Sequence, residues 1–181
     1  DIDIKQISLS SWRRSIGLVL QDIFLFPGSI LDNLRVFNTE ISLQRVIYCA
    51  KKMHIHDFIL NLPNGYETIL QERGANFSLG QRQLLSFTRA MVIDPELLIL
   101  DEATASVDPY TENLIMRSFN ELLLNRTSIV IAHRLRTIVD SDRIFLIKDG
   151  AIVESGTHNE LVELGSEYYS LFRLQNSESV A

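Results

Sequence analysis

The sequence has a single cysteine, Cys49. That excludes an internal disulfide and suits a reducing compartment. Cys49 falls in a helical run and reads as a buried structural thiol. No apolar stretch approaches the roughly 20 residues that span a bilayer, so none reads as a membrane helix. The N-terminus, Asp1-Ile2-Asp3-Ile4, carries no signal peptide. It has no initiator methionine either, so the chain is expected to begin partway through a longer protein unless processing removed that residue. Basic residues are the minority, 17 against 23 acidic, for a net charge of −6. That balance argues against a broad nucleic-acid footprint. Internal repeats and low-complexity linkers are also missing. What is present, 181 residues of which 46% are hydrophobic, fits one domain with a sizeable core.

The most informative stretch is Leu97-Leu98-Ile99-Leu100-Asp101-Glu102. Its continuous apolar run predicts a strand buried on both faces of a parallel sheet. Asp101 and Glu102 then fall at the strand's carboxyl end, where open α/β sheets place ligands. Two adjacent acids there repel each other and resist desolvation. They become favourable if Asp101 supports Mg²⁺ and Glu102 polarises an attacking water, as in a Walker-B strand. An ordinary strand running into a charged turn is the plainer alternative.

Along the chain, residues 1–16 read as a loop and a helical turn leading into a strand over 15–20, which ends at Gln21-Asp22. Ile23 to Phe26 follow, either as an apolar patch for a partner or as a segment folded back into the core. Residues 29–62 are mostly helical. Ser42 is placed to cap a helix carrying Leu43, Val46, Ile47 and Ala50 at helical spacing, and a second short helix is expected over 54–60. His54 and His56 lie two apart, on different helix faces, and read as solvated rather than as metal ligands. Residues 66–76 read as loop.

Phe77-Ser78-Leu79-Gly80-Gln81 opens a long helix whose inner face is Leu84, Leu85, Phe87, Ala90, Met91 and Ile93, ending at Asp94-Pro95. A helix start with Ser and Gly offers an anion site, as does any N-capped helix. A helix over 110–124 and a β-branched buried strand over 127–132 follow, with His133 at the strand's end. Such a histidine suits phosphate contact or water orientation, or else a capping or core role. A strand over 143–148 turns at Asp149-Gly150, a hairpin signal, and returns over 151–154. Thr157 caps the next helix. The last, amphipathic helix carries Tyr168, Tyr169, Leu171, Phe172 and Leu174.

Taken together, these residues resemble the nucleotide-binding domain of an ABC (ATP-binding cassette) transporter over nearly the whole chain. Gln21 resembles the Q-loop glutamine. Glu72-Arg73-Gly74 resembles the exporter-type X-loop, and Phe77 to Gln81 resembles the leucine-serine-glycine-glycine-glutamine signature. Leu97 to Glu102 match Walker B, Ala105 to Asp108 resemble the D-loop, and His133 falls on the H-loop histidine. Phe77 and Leu79 depart from the signature, and Leu79 narrows the space beside the phosphates.

The resemblance implies an α/β fold with a P-loop NTPase (RecA-like) core sheet, flanked by helices, plus an α-helical signature subdomain over about 29–94. Residues 1–28 and 95–181 would form the core part. It implies Glu102 and His133 as catalytic residues, with Gln21, Ser78, Gly80, Gln81 and Asp108 on ATP, and Asp101 and Gln21 on Mg²⁺. The partners implied are a second nucleotide-binding domain, homo- or heterodimeric, and a transmembrane domain. The site implied is the cytoplasmic face of a membrane, without nucleic acid.

No glycine is followed by lysine, so the phosphate-binding G-x-x-x-x-G-K-S/T is missing. By analogy the fold is incomplete at its N-terminus. The parent is then expected to hydrolyse ATP while this piece alone does not. A truncated, non-catalytic module that pairs with an intact domain is a second reading. SMC-like DNA ATPases share motifs, but the chain lacks sustained heptads.

Overall fold

The computed structural model describes residues 2–71, 74–101, 107–132 and 134–178. The chain divides into two compact units, Asp1–Ile131 and Ala132–Ala181. In chain order the first holds α1 (Leu9–Ser15), β1 (Ile16–Val19), β2 (Gly28–Ser29), α2 (Ile30–Arg35), α3 (Leu43–Lys52), α4 (His56–Leu60), β3 (Ile69–Leu70), α5 (Leu79–Ile93), β4 (Leu97–Asp101), α6 (Pro109–Leu123) and β5 (Thr127–Ile131).

β1, β4 and β5 form a parallel sheet in the order β1-β4-β5. The register sets Val19 beside Leu100 and Asp101 beside Ile131. Side chains alternate across a strand, so Val19, Leu98 and Leu100 point to one face and join the core with Leu84, Phe87, Ile115 and Phe119 of α5 and α6. The opposite face differs from the sequence-based expectation. Leu18 is 57% exposed, Ile129 52% and Ile131 51%, while Ile99 is half-buried. The unbroken apolar run Leu97–Leu100 predicts a β4 buried on both sides, and the β-branched residues of β5 predict a buried strand. The core residues of α5 and α6 gather with Val19, Leu98 and Leu100, the side chains of the other face.

The helices start where their caps stand. Ser42 Oγ accepts from the Arg45 N–H at 3.2 Å, and α3 then buries Val46, Cys49 and Ala50. The expected structural thiol is thus fully enclosed, and burial raises its pKa. Ser78 caps α5, which stops at Asp94 in a left-handed conformation, φ 55°. Arg45 and Arg126 both pair with the Asp94 carboxylate, at 3.1 and 2.6 Å. Ile93, assigned to the inner face, is exposed instead.

Two local expectations change. His54 lies outside α4 with φ 56°, and His56 Nδ1 hydrogen-bonds the Tyr66 hydroxyl at 2.9 Å rather than being solvated. The loop over 66–76 contains β3, antiparallel to β2 with Gly28 opposite Leu70. Two-residue strands have no period to read.

In the second unit β6 (Ile144–Lys148) and β7 (Ala151–Gly156) form an antiparallel hairpin. Asp149 and Gly150 both have positive φ, 50° and 78°, as a primed two-residue turn requires. α7 (His158–Leu164) starts with a Thr157–Glu160 capping box, and α8 (Glu167–Glu178) follows. The buried Glu154 carboxylate accepts the first N–H groups of α8, from Glu167 at 2.7 Å and Tyr168 at 3.3 Å. Ile144, Leu161 and Tyr168 make this unit's core. Leu171 and Leu174, assigned to the apolar face of the last helix, are exposed. Among the described residues no helix is long and apolar enough to cross a membrane.

Candidate functional site

The parallel register of β1 and β4 brings two strand ends to one rim. Gln21 follows β1 and Asp101 ends β4, and both line one cleft. Its walls are apolar, including Phe87, Ile115 and Phe119. A third polar side chain enters it. Gln83 of α5 is only 6% exposed, and its amide makes no hydrogen bond among the described residues. The amide opens onto the cleft, so a water or ligand there is its natural partner. Gln83 is not among the residues that the motifs single out. The available signal was a polar residue on the inner, apolar face of the long helix.

The residues also fit a magnesium ion. A carboxylate and an amide carbonyl are hard oxygen donors, and Mg²⁺ takes few protein ligands, completing its shell with water and phosphate. No cluster of three or more His, Cys, Asp or Glu is placed to hold a metal among the described residues.

At the start of α5, Ser78 Oγ accepts from the Gln81 N–H at 3.2 Å, and Gln81 Oε1 accepts from the Ser78 N–H at 2.9 Å. This capping box spends the acceptors of both side chains on the helix itself. The Ser78 hydroxyl proton remains free to donate outward, at an exposed helix N-terminus of positive potential. Gly80 faces the other way. A Cβ there would stand 2.2 Å from Thr111 Cγ2 of α6, so its glycine lets two helices approach. Asp108 is exposed and caps α6, accepting the Thr111 N–H at 3.0 Å. The Thr111 hydroxyl and N–H hold its pKa below the ordinary value. Signature and D-loop candidates therefore meet at one residue, Thr111.

The run after Gln21 divides between its two readings. Leu25 is buried and Ile23 packs against the core, while Phe24 and Phe26 are exposed, 49% and 37%. Their rings meet edge to face at 4.9 Å, and Phe26 meets Phe37 at 5.7 Å. Val36 and Phe37 have φ of 51° and 58°, an unfavourable region for a β-branched and a bulky residue. Such strain persists only when the surroundings impose it. Glu102, Ala105, Ser106 and His133 lie outside the described residues, as do Glu72 and Arg73.

A family model described as "ABC transporter" matches residues 1–105, more than half of the chain. ABC transporter B family member 2 of Dictyostelium discoideum is 46% identical over 173 residues, which are 96% of this chain and 12% of that protein. The putative ABC transporter ATP-binding protein exp8 of Streptococcus pneumoniae is 45% identical, with 97% of this chain and 30% of that protein covered. The mitochondrial iron-sulfur clusters transporter ATM1 of Chaetomium globosum is also 45% identical, covering 97% and 29%. This chain thus spans between 12% and 30% of the length of these relatives. The solved structure of a bacterial Atm1-family ABC exporter with ATP bound superposes with a TM-score of 0.85 at 37% identity, over 95% of this chain and 30% of that one. With motif order, parallel sheet and fold in agreement, the chain belongs to the ABC transporter family.

Proposed function

We propose that this chain is part of the nucleotide-binding domain of an exporter, and that it closes over and fires at an ATP whose phosphates are gripped by a loop the chain does not contain. The observation that carries this reading is the shared cleft of Gln21 and Asp101, built by two adjacent parallel strands. Asp101 and the Gln21 carbonyl would hold the Mg²⁺. Bound there, the ion supplies charge stabilisation to the phosphates. Glu102 acts as the base that orients the attacking water, and His133 steadies the phosphate end. Ser78, Gly80 and Gln81 present the α5 N-terminus to a nucleotide held by a second nucleotide-binding domain, with Asp108 at that interface. An N-terminus with a free hydroxyl donor is suited to anionic oxygens.

The exposed Phe24–Phe26–Phe37 cluster provides an apolar face beside Gln21 for a transmembrane domain. Docking there ties substrate transport to the nucleotide site, at the cytoplasmic face of a membrane. In this division of labour the parent turns over ATP and the 181-residue chain does not. The test is ATP hydrolysis by both. Turnover by the parent that is lost in Glu102→Gln, with none by the chain alone, is the expected result. Turnover by the chain alone, abolished by Glu102→Gln, overturns it.

A further inference from the structure

We propose that Arg89 is a positioning residue for the loop after Gln21, fastening it with Asn33 to the helix that begins at Ser78. Arg89 lies on α5 about three turns beyond Ser78. Its guanidinium donates to three oxygens in two other segments. Nη1 reaches the Phe24 carbonyl at 2.9 Å, Nε the Asn33 carbonyl at 3.1 Å and Nη2 the Asn33 Oδ1 at 3.2 Å. The same Oδ1 accepts the Phe26 N–H at 2.8 Å. Asn33 Nδ2 donates to the carbonyls of Phe26 at 2.9 Å and Ser29 at 3.0 Å. The buried Asn33 amide thus pairs both backbone groups of Phe26, as a strand neighbour would. Arg89 in turn fixes that amide, and its guanidinium also lies 5.6 Å from the centre of the Phe26 ring.

The chemistry suits positioning better than bulk packing. Arg89 is half-buried, and no carboxylate pairs with it among the described residues. Burial lowers its pKa. A partly buried cation without a counter-ion is a poor way to fill space compared with an apolar side chain. Its distinctive property is a rigid, planar fork of five donors, which a lysine does not reproduce. Here the fork spans α5, α2 and the 24–26 backbone. The consequence rests on the function proposed above: the glutamine that reports on the nucleotide, the aromatic face that meets the membrane domain, and the signature helix are tied into one piece.

Hydrogen exchange of the 181-residue chain, without nucleotide, tests this. The reporter peptide covers 23–28 and the reference covers 112–122 in α6. Arg89→Met keeps the bulk and removes the fork. At least tenfold faster exchange in 23–28 is expected, with the reference within twofold. Asn33→Ala should match it, and the double variant should exchange no faster than the faster single, because the two act as one unit. Arg89→Lys, which reaches one oxygen, should fall in between, and it decides the matter if Arg89→Met does not fold. Equal acceleration of both peptides in Arg89→Lys, multiplied effects in the double variant, or wild-type exchange in Arg89→Lys each overturns the proposal. The readout is independent of ATP turnover. A clamp that holds while the parent's turnover ignores Glu102→Gln rejects only the nucleotide reading, and the reverse combination rejects only the clamp.

Discussion

Tyr66 shows what one buried side chain imposes. Its hydroxyl meets His56 Nδ1 at 2.9 Å, and burial pushes its pKa from 10.0 up to about 12. The folded state therefore prefers the neutral phenol. That preference contributes fully below pH 10 and is lost as pH rises toward 12. Urea unfolding of wild type and Tyr66→Phe at pH 9 and pH 12 should show the wild-type advantage shrinking by about 2 kcal/mol across that interval. A constant difference would mean that the phenol titrates as it does in the unfolded chain. Ser78 separates two roles in another way. Ser78→Ala should cost about 1 kcal/mol through the lost cap. Ser78→Asp keeps a cap of equal quality and suits the helix dipole, so the melting temperature should hold. On the proposed function its carboxylate would oppose a triphosphate, so turnover by the parent should collapse. A variant that melts normally and turns over normally would remove Ser78 from the nucleotide.

The pairing of α5 with α6 is decided by Gly80 and Thr111. Alanine is the better helix former by about 1 kcal/mol, so propensity alone predicts that Gly80→Ala stabilises. The added methyl would sit 2.2 Å from Thr111 Cγ2, a clash that overpacking costs place at about 1–3 kcal/mol. We expect net destabilisation in denaturant titrations, with Thr111→Ser restoring most of it because the two sites share one contact. Additive losses would locate the cost elsewhere. Element boundaries were readable where a side chain makes the cap. Ser42, Ser78 and Thr157 each accept the N–H three residues on, as their sequence context indicates. The β2–β3 ladder was not readable, because its two pairs are held by the long-range closure of 28 onto 70 rather than by any local pattern.

At the scale of the molecule, the uncovered face of the β1-β4-β5 sheet sets the solution behaviour. Leu18, Ile129 and Ile131 form an apolar surface on a parallel sheet, a class normally covered on both faces. β5 ends the hydrogen-bonded order and offers an edge. The 181-residue chain should therefore self-associate, with sedimentation coefficients that rise with concentration. Replacing both Ile129 and Ile131 by Lys should return it to a monomer without loss of the α5–α6 core. A wild-type chain that stays monomeric and melts cooperatively at high temperature would contradict this.

Local chemistry determined the strands that lead to Gln21 and end in Asp101, the capped helices, the Asp149-Gly150 hairpin and the order of motifs. Each depends on residues within a few positions of one another, so the one-dimensional pattern records it. Tertiary packing decided the rest. The aliphatic runs Leu97–Leu100 and Ile129–Ile131 look alike in sequence, yet which of their faces is covered depends on where α5 and α6 land. Gln83 joins the cleft, and Arg89 reaches Asn33 across 56 positions, because the fold carries them there. Contacts between distant segments leave no periodic trace in the chain that makes them.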